Sequence, residues 1–213
     1  MIEAIQMRYD ALAESECCLS CGGAVSAANP QPGEVCVDLG SGRGADVLRL
    51  AEAVGPSGHA YGVDVAEAMR DKARRTAEKL GIANATFLAS SFDRIALPDA
   101  VADWIVSNCA LNHAADKPAV WREIARILKP GGRFVVSDIY AVADVPAVYR
   151  DDPEAVAECW AGAVRKDEYL AHIALAGLAE VRILEESKPY EKGKVTVASF
   201  TLTGKRPSRR CCA

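Results

Sequence analysis

The residues with the most chemistry in this chain are its eight cysteines: Cys17, Cys18, Cys21, Cys36, Cys109, Cys159, Cys211 and Cys212. A thiolate is both a nucleophile and a soft ligand. The chain starts Met1-Ile2-Glu3-Ala4, which does not read as a secretory signal. Surplus thiols in such a chain point to soft-ion binding or reactive chemistry rather than to a disulfide framework. Cys36 lies inside an apolar run, Val35 to Leu39, and is expected to be a small buried hydrophobe. Cys18-x-x-Cys21 together with Cys211-Cys212 would offer four thiolates to zinc, although that second pair is adjacent rather than spaced. Cys109 and Cys159 stand alone in the sequence, so their use depends on the fold that places them.

A second constellation is made of glycines and two carboxylates. Gly40, Gly42 and Gly44 follow Asp38-Leu39 and open an apolar-periodic stretch, and Asp64 closes the next strand-like run. Without Cβ atoms such a loop turns sharply and lets a ligand come close to the backbone. A carboxylate at the end of the second strand can take both hydroxyls of a ribose. Dinucleotide loops read Gly-x-Gly-x-x-Gly and aim a helix N-terminus at a pyrophosphate. Here the spacing is Gly-x-Gly-x-Gly, with an acid directly ahead of it. That acid would oppose a pyrophosphate and suits an ammonium. The loop therefore fits S-adenosylmethionine, which carries an ammonium, a carboxylate and a sulfonium but no phosphate.

The elements that must position these residues alternate. Strands are expected at Val35–Leu39, His59–Asp64, Thr86–Ala89, Ala102–Val106 and Arg133–Ser137. Between them run helical stripes: Val47, Leu48, Leu50, Ala51 and Val54; then Ala66, Met69, Ala73, Ala77 and Leu80; then Val120, Trp121, Ile124 and Leu128. Gly55-Pro56, Gly81 and Lys129-Pro130-Gly131-Gly132 end them. Such alternation predicts an α/β fold with a doubly wound, mainly parallel sheet and helices on both faces. Residues 34–140 form this core. Residues 1–33 supply a helix and a Cys-rich loop. Residues 141–204, with two helical stretches and two strand-like ones (180–184 and 194–202), are the part of the same domain that covers the site. Residues 205–213 read as a flexible Cys-Cys tail.

Composition sets limits. Half of the 213 residues are hydrophobic and only 6% are aromatic, enough for one core built from small aliphatic residues. A net charge of -4 offers no field for nucleic acid or anionic lipid, so neither is expected as a partner. No apolar run approaches the roughly 20 residues needed to cross a bilayer, and the expected location is the cytoplasm.

Asp38-Leu39-Gly40-Ser41-Gly42-Arg43-Gly44, Gly62-Val63-Asp64 and Leu128-Lys129-Pro130-Gly131-Gly132 resemble a class I methyltransferase, whose sheet has seven strands. Ser107-Asn108-Cys109 with Asn112 and Asp116-Lys117, Ser137-Asp138-Ile139-Tyr140, Glu158-Cys159 with Gly162-Ala163, and Arg8-Tyr9 ahead of a cysteine cluster resemble one family closely, the arsenite methyltransferases. The likeness runs from about Met7 to Pro207. It implies that Asp38 orients the methionine amine of S-adenosylmethionine and that the backbone of Gly40, Ser41 and Gly42 lines its amino-acid moiety. Asp64 would hold the ribose, Val65 and Phe92 would flank adenine, and Asn108 would meet the cofactor near its sulfonium. Ser91 stands where many such enzymes have an acid.

The same likeness implies that Cys21, Cys109 and Cys159 bind trivalent arsenic as thiolates, Cys17 or Cys18 being alternatives to Cys21. The arsenic lone pair would then attack the sulfonium methyl. The partners it implies are arsenite or its thiol adducts and a thiol reductant of the glutathione or thioredoxin type. Arsenic binding by thiols is expected to release protons and strengthen as pH rises. His113 replaces an apolar residue of the family pattern and is expected at the rim or surface. Two other readings remain: methylation of a quinone or other small organic acceptor, and a thiolate zinc-binding protein.

Overall fold

The structure is a computed structural model, which describes residues 1–15 and 23–208. Its centre is one sheet. The strands are β1 (Val35–Leu39), β2 (His59–Asp64), β3 (Ala85–Ala89), β4 (Ala102–Asn108), β5 (Leu128–Ala141), β6 (Ala179–Glu186), β7 (Tyr190–Lys192) and β8 (Val195–Lys205). Their order is β3-β2-β1-β4-β5-β8-β6, with β7 paired to β8. The first five strands run parallel, and β8 lies antiparallel to β5, β6 and β7. The expected doubly wound sheet is present, with β7 as a short eighth strand in a hairpin. A three-residue run ending in Lys192 carries too little pattern to be read as a strand.

Successive side chains on β1 point to opposite faces. Val37 and Leu39 therefore join one apolar cluster, with Val120, Trp121 and Ile124 of α5 (Lys117–Ile127). Cys36 joins another, with Leu50 and Val54 of α3 (Ala45–Val54). Both faces are covered, which is why the strands read as nearly continuous apolar runs. Gly81, left-handed at φ +70°, ends α4 (Glu67–Leu80), and the Asp116 carboxylate accepts from the Ala119 N–H to begin α5.

The N-terminal helix α1 (Ile2–Leu12) lies over α4, where Tyr9, Leu12 and Ala13 meet Ala66 and Met69. The Asp10 carboxylate accepts from the Ala68 N–H at 2.8 Å. A single turn, α2 (Ala24–Ala27), leads into β1. After β5 come α6 (Ala147–Arg150), α7 (Pro153–Ala157), a 3-10 turn at Trp160–Gly162 and α8 (Lys166–Leu175). Two boundaries differ from expectation. Pairing along β5 begins at Leu128, opposite Ala102, rather than at Arg133. Order also continues past residue 204: Gly131 N–H donates to Arg206 O, Arg206 N–H donates to Gly132 O, and the Arg206 guanidinium donates to Arg126 O and Leu128 O. The glycine pair near the start of β5 is thus sewn to the end of β8.

Candidate active site

The chain winds outward through β1, β2 and β3, then crosses back to β4. The strand order reverses between β1 and β4, so their carboxyl ends open a crevice where ligands bind in sheets of this kind. The Ser107 hydroxyl donates to Leu39 O at 2.8 Å and locks the two strand ends side by side. The glycine loop leaves from one end and Cys109 from the other. A cavity of about 1090 Å³ lies over them. Its walls include Asp38, Gly40, Ser41, Gly42, Asp64, Val65, Phe92, Asn108 and Cys109; of the described residues expected to form the site, Cys159 alone is not in its wall. Cys17, Cys18, Cys21, Cys211 and Cys212 lie outside the described residues.

Two glycines of the loop are required where they are. Gly40 sits at φ +78°, and a Cβ there would come within 2.2 Å of the Ala110 Cβ. Gly42, at φ +50°, has nothing within 4 Å of where its Cβ would be, so its backbone faces open space. The Asp64 carboxylate fixes the loop itself. One oxygen accepts from Gly42 N–H at 2.8 Å and the other from Ala66 N–H at 2.9 Å, leaving each a second lone pair for a ligand hydroxyl. Burial raises its pKa, and those N–H bonds pull it back.

Asp38 is 3% exposed, and no described residue donates a hydrogen bond to its side chain. Burial, followed by the negative charges of Asp46 and Asp64, raises its pKa well above the ordinary carboxylate value. A buried carboxylate of this kind in a cavity wall is a place for a cation. The Ser41 hydroxyl is also buried without a partner. An amino acid's ammonium and carboxylate match these groups and the loop N–H groups, so the donor set fits the zwitterion of S-adenosylmethionine. Ser91 and Asp93 also line the cavity. Asn108 has both ends of its amide engaged: Oδ1 accepts from Ala24 N–H at 3.1 Å and Nδ2 donates to Asp46 at 2.7 Å. Its place is in the wall that joins α2 to α3.

Cys109 and Cys159 meet. The Cys159 thiol points at Cys109 O, 3.5 Å away. Both have positive φ, +52° and +76°, which a side-chain-bearing residue adopts only when its surroundings enforce it. Backbone bonds enforce it: Cys109 N–H donates to Ser137 O and Cys159 N–H to Val156 O. Burial drives the Cys159 thiol pKa well above its ordinary value, and the negative charges of Asp138 and Cys109 add to the rise. Cys36 is fully buried, its thiol pushed up to about 12, as befits a core residue.

His113 is buried, not exposed at the surface as its polarity suggested, although it belongs to the loop at the rim. Its Nδ1 lies 2.9 Å from Val156 O, and its Nε2 lies 3.0 Å from the Tyr9 hydroxyl. A carbonyl only accepts, so Nδ1 carries the proton and Nε2 accepts from Tyr9. Burial lowers the imidazole pKa to about 4. Arg8 reaches the same segment through Glu158, at 3.4 Å, and Glu158 also accepts from the Trp160 indole at 3.0 Å. Below the two cysteines runs a buried polar network. Asn112 Nδ2 donates to Asp138 and to Ile139 O, and Lys117 donates to Ala114 O. Burial pushes the Asp138 carboxyl up to about 6. Gly162 presses on Asn112 so closely that a Cβ would sit 2.0 Å from its carbonyl oxygen. Asn112, Asp138 and Gly162 thus set the floor, a role that motif spacing alone does not announce.

A family model described as a methyltransferase domain matches residues 30–177. The arsenite methyltransferase of Halobacterium salinarum is 35% identical over 173 residues, covering 81% of this chain and 44% of that protein. The arsenite methyltransferase of Aquipseudomonas alcaligenes is 37% identical over 158 residues, 70% of this chain and 45% of that one. The chain thus spans less than half the length of these curated relatives. Among solved structures, an arsenic(III) S-adenosylmethionine methyltransferase from Chlamydomonas reinhardtii superposes with a TM-score of 0.76 at 27% identity. That match covers 93% of this chain and 74% of the other.

Proposed function

The chain belongs to the methyltransferase-domain family, and from that premise we propose that it transfers a methyl group from S-adenosylmethionine to trivalent arsenic held by cysteine thiolates. One observation carries this reading: Cys109 and Cys159, fifty positions apart in sequence, converge beside the glycine-loop cavity with the Cys159 thiol 3.5 Å from Cys109 O. An organic acceptor needs no such pair. The names of the two curated relatives support the same substrate. The third thiolate is assigned to Cys21, with Cys17 and Cys18 as alternatives. Arsenite or its thiol adducts enter as substrate, and a glutathione- or thioredoxin-type reductant keeps the thiols reduced.

Thiolates suit this centre because soft ligands hold a soft, thiophilic element. Held through sulfur, arsenic keeps its lone pair. The cofactor supplies a sulfonium methyl group, which that pair takes as the C–S bond electrons return to sulfur. The nucleophile has no proton to lose, so the protein's task is positioning, which can supply several kcal/mol of the barrier, roughly 7 to 11 at best. Asp38 takes the ammonium, Asp64 the ribose hydroxyls, and the backbone of the loop the carboxylate. Cys109 and Cys159 would hold arsenic at the crevice rim.

The test is product analysis by mass spectrometry after incubating the chain with arsenite, S-adenosylmethionine and a thiol reductant. Methylated arsenic is expected. Cys109→Ser and Cys159→Ser should each lower turnover by at least about a hundredfold while leaving S-adenosylmethionine affinity within about twofold, because the lost sulfur binds only the acceptor. Full turnover in either variant removes the thiolate site. Tight cofactor binding without arsenic methylation transfers the reading to a quinone or other organic acceptor.

A further inference from the structure

We propose that His113 is a positioning residue that holds the two thiol-bearing segments and helix α1 in one register, through Val156 O on one ring edge and the Tyr9 hydroxyl on the other. The inference rests on the thiolate reading of Cys109 and Cys159.

The rim loop that begins with Cys109 turns through a 3-10 helix at Leu111–His113. From its end the imidazole reaches across to α7, where Nδ1–H donates to Val156 O at 2.9 Å. The same carbonyl accepts the Cys159 N–H, also at 2.9 Å. One oxygen is therefore shared between the side chain that closes the Cys109 loop and the backbone of Cys159. It holds Cys159 in its left-handed conformation, φ +76°, with the thiol aimed at Cys109 O. On the opposite edge Nε2 accepts from Tyr9 on α1, and the two rings meet edge to face with centroids 5.4 Å apart. In sequence, α1 runs directly toward Cys17, Cys18 and Cys21. One imidazole thus cross-links the Cys109 loop, the segment that carries Cys159 and helix α1. An apolar residue there would fill the same space without either bond.

The test measures how well the two thiols are held, apart from catalysis. In the full-length chain, Cys17, Cys18, Cys21, Cys211 and Cys212 are changed to Ser, and phenylarsine oxide is the probe. It bridges two thiols, forming two As–S bonds as its oxygen leaves as water with both thiol protons. Binding is read by intact mass, and affinity by competition with a small dithiol. In this background bridging is expected, and lost on Cys109→Ser or Cys159→Ser. His113→Leu, which breaks both bonds, should weaken bridging about tenfold while S-adenosylmethionine affinity stays within about twofold. His113→Asn keeps a donor near the Nδ1 position and should recover most of that loss. Tyr9→Phe breaks only the Nε2 bond and should give an intermediate value; it also serves if His113→Leu does not fold. Equal bridging in His113→Leu, or in Tyr9→Phe in its place, overturns the inference and leaves the activity reading standing. Bridging that depends on His113 in a chain that methylates no arsenite upholds the inference and removes the activity.

Discussion

At the scale of single residues, backbone strain is stored at the two cysteines of the candidate site. Cys109 at φ +52° carries a left-handed backbone that costs a side-chain-bearing residue about 1 kcal/mol or more. Cys109→Gly should therefore change the unfolding free energy by no more than about 1 kcal/mol in a denaturant titration, because relief of strain offsets the lost side chain, while arsenic turnover disappears. The proton balance also settles a pH dependence. Arsenous acid brings three hydroxyls, which leave as water with three thiol protons, so binding releases no net proton. The rise of affinity with pH expected from metal-ion chemistry is replaced by a plateau. Cys159, its thiol pKa raised by burial, stays protonated to higher pH and extends that plateau upward. Arsenite affinity measured by dialysis should be constant from about pH 6 to about pH 8 and fall only where the thiols ionise. A steady increase across that range would refute it.

At the scale of elements, the glycine loop and the Cys109 loop are one mechanical unit, since Gly40 packs on Ala110. Gly40→Ala would drive a Cβ to within 2.2 Å of the Ala110 Cβ at a backbone angle that disfavours alanine. S-adenosylmethionine affinity, read calorimetrically, should fall by at least about tenfold; an unchanged value would mean that the loop yields. Much of this was legible in the sequence. The five parallel strands and the loop between Asp38 and Gly44 follow from alternation and motif, whereas the pairing of Cys109 with Cys159 was implied only by the family resemblance. The strain at the two cysteines and the Asp64–Gly42 bond were not legible, because periodicity reports which side of an element is apolar and says nothing of φ or of hydrogen-bond partners. His113 was misplaced for a related reason: polarity predicts exposure unless both ring nitrogens find partners, and here Tyr9 and Val156 supply them. Asn108 shows the converse, a motif residue whose amide is spent on Ala24 and Asp46.

At the scale of the whole molecule, the strands that end at the crevice are packed on both faces by apolar clusters. Trp121 is buried to 1% exposure and meets Phe134 and Tyr169 edge to face. Trp121→Ala should destabilise the fold by about 3 to 5 kcal/mol in denaturant unfolding; a loss below about 1 kcal/mol would show that the site collapses around the gap. The sheet order has a further consequence for how the protein is made. β8, last to be synthesised, is threaded between β5 and β6, so the β5 edge has no neighbour until residues 195–205 leave the ribosome. A nascent chain paused short of Val195 would carry the first five strands beside an unpaired β5 edge of nine residues, Arg133–Ala141, open to pairing with its copies. For this fold the hazard lies in the interval between the emergence of β5 and that of β8.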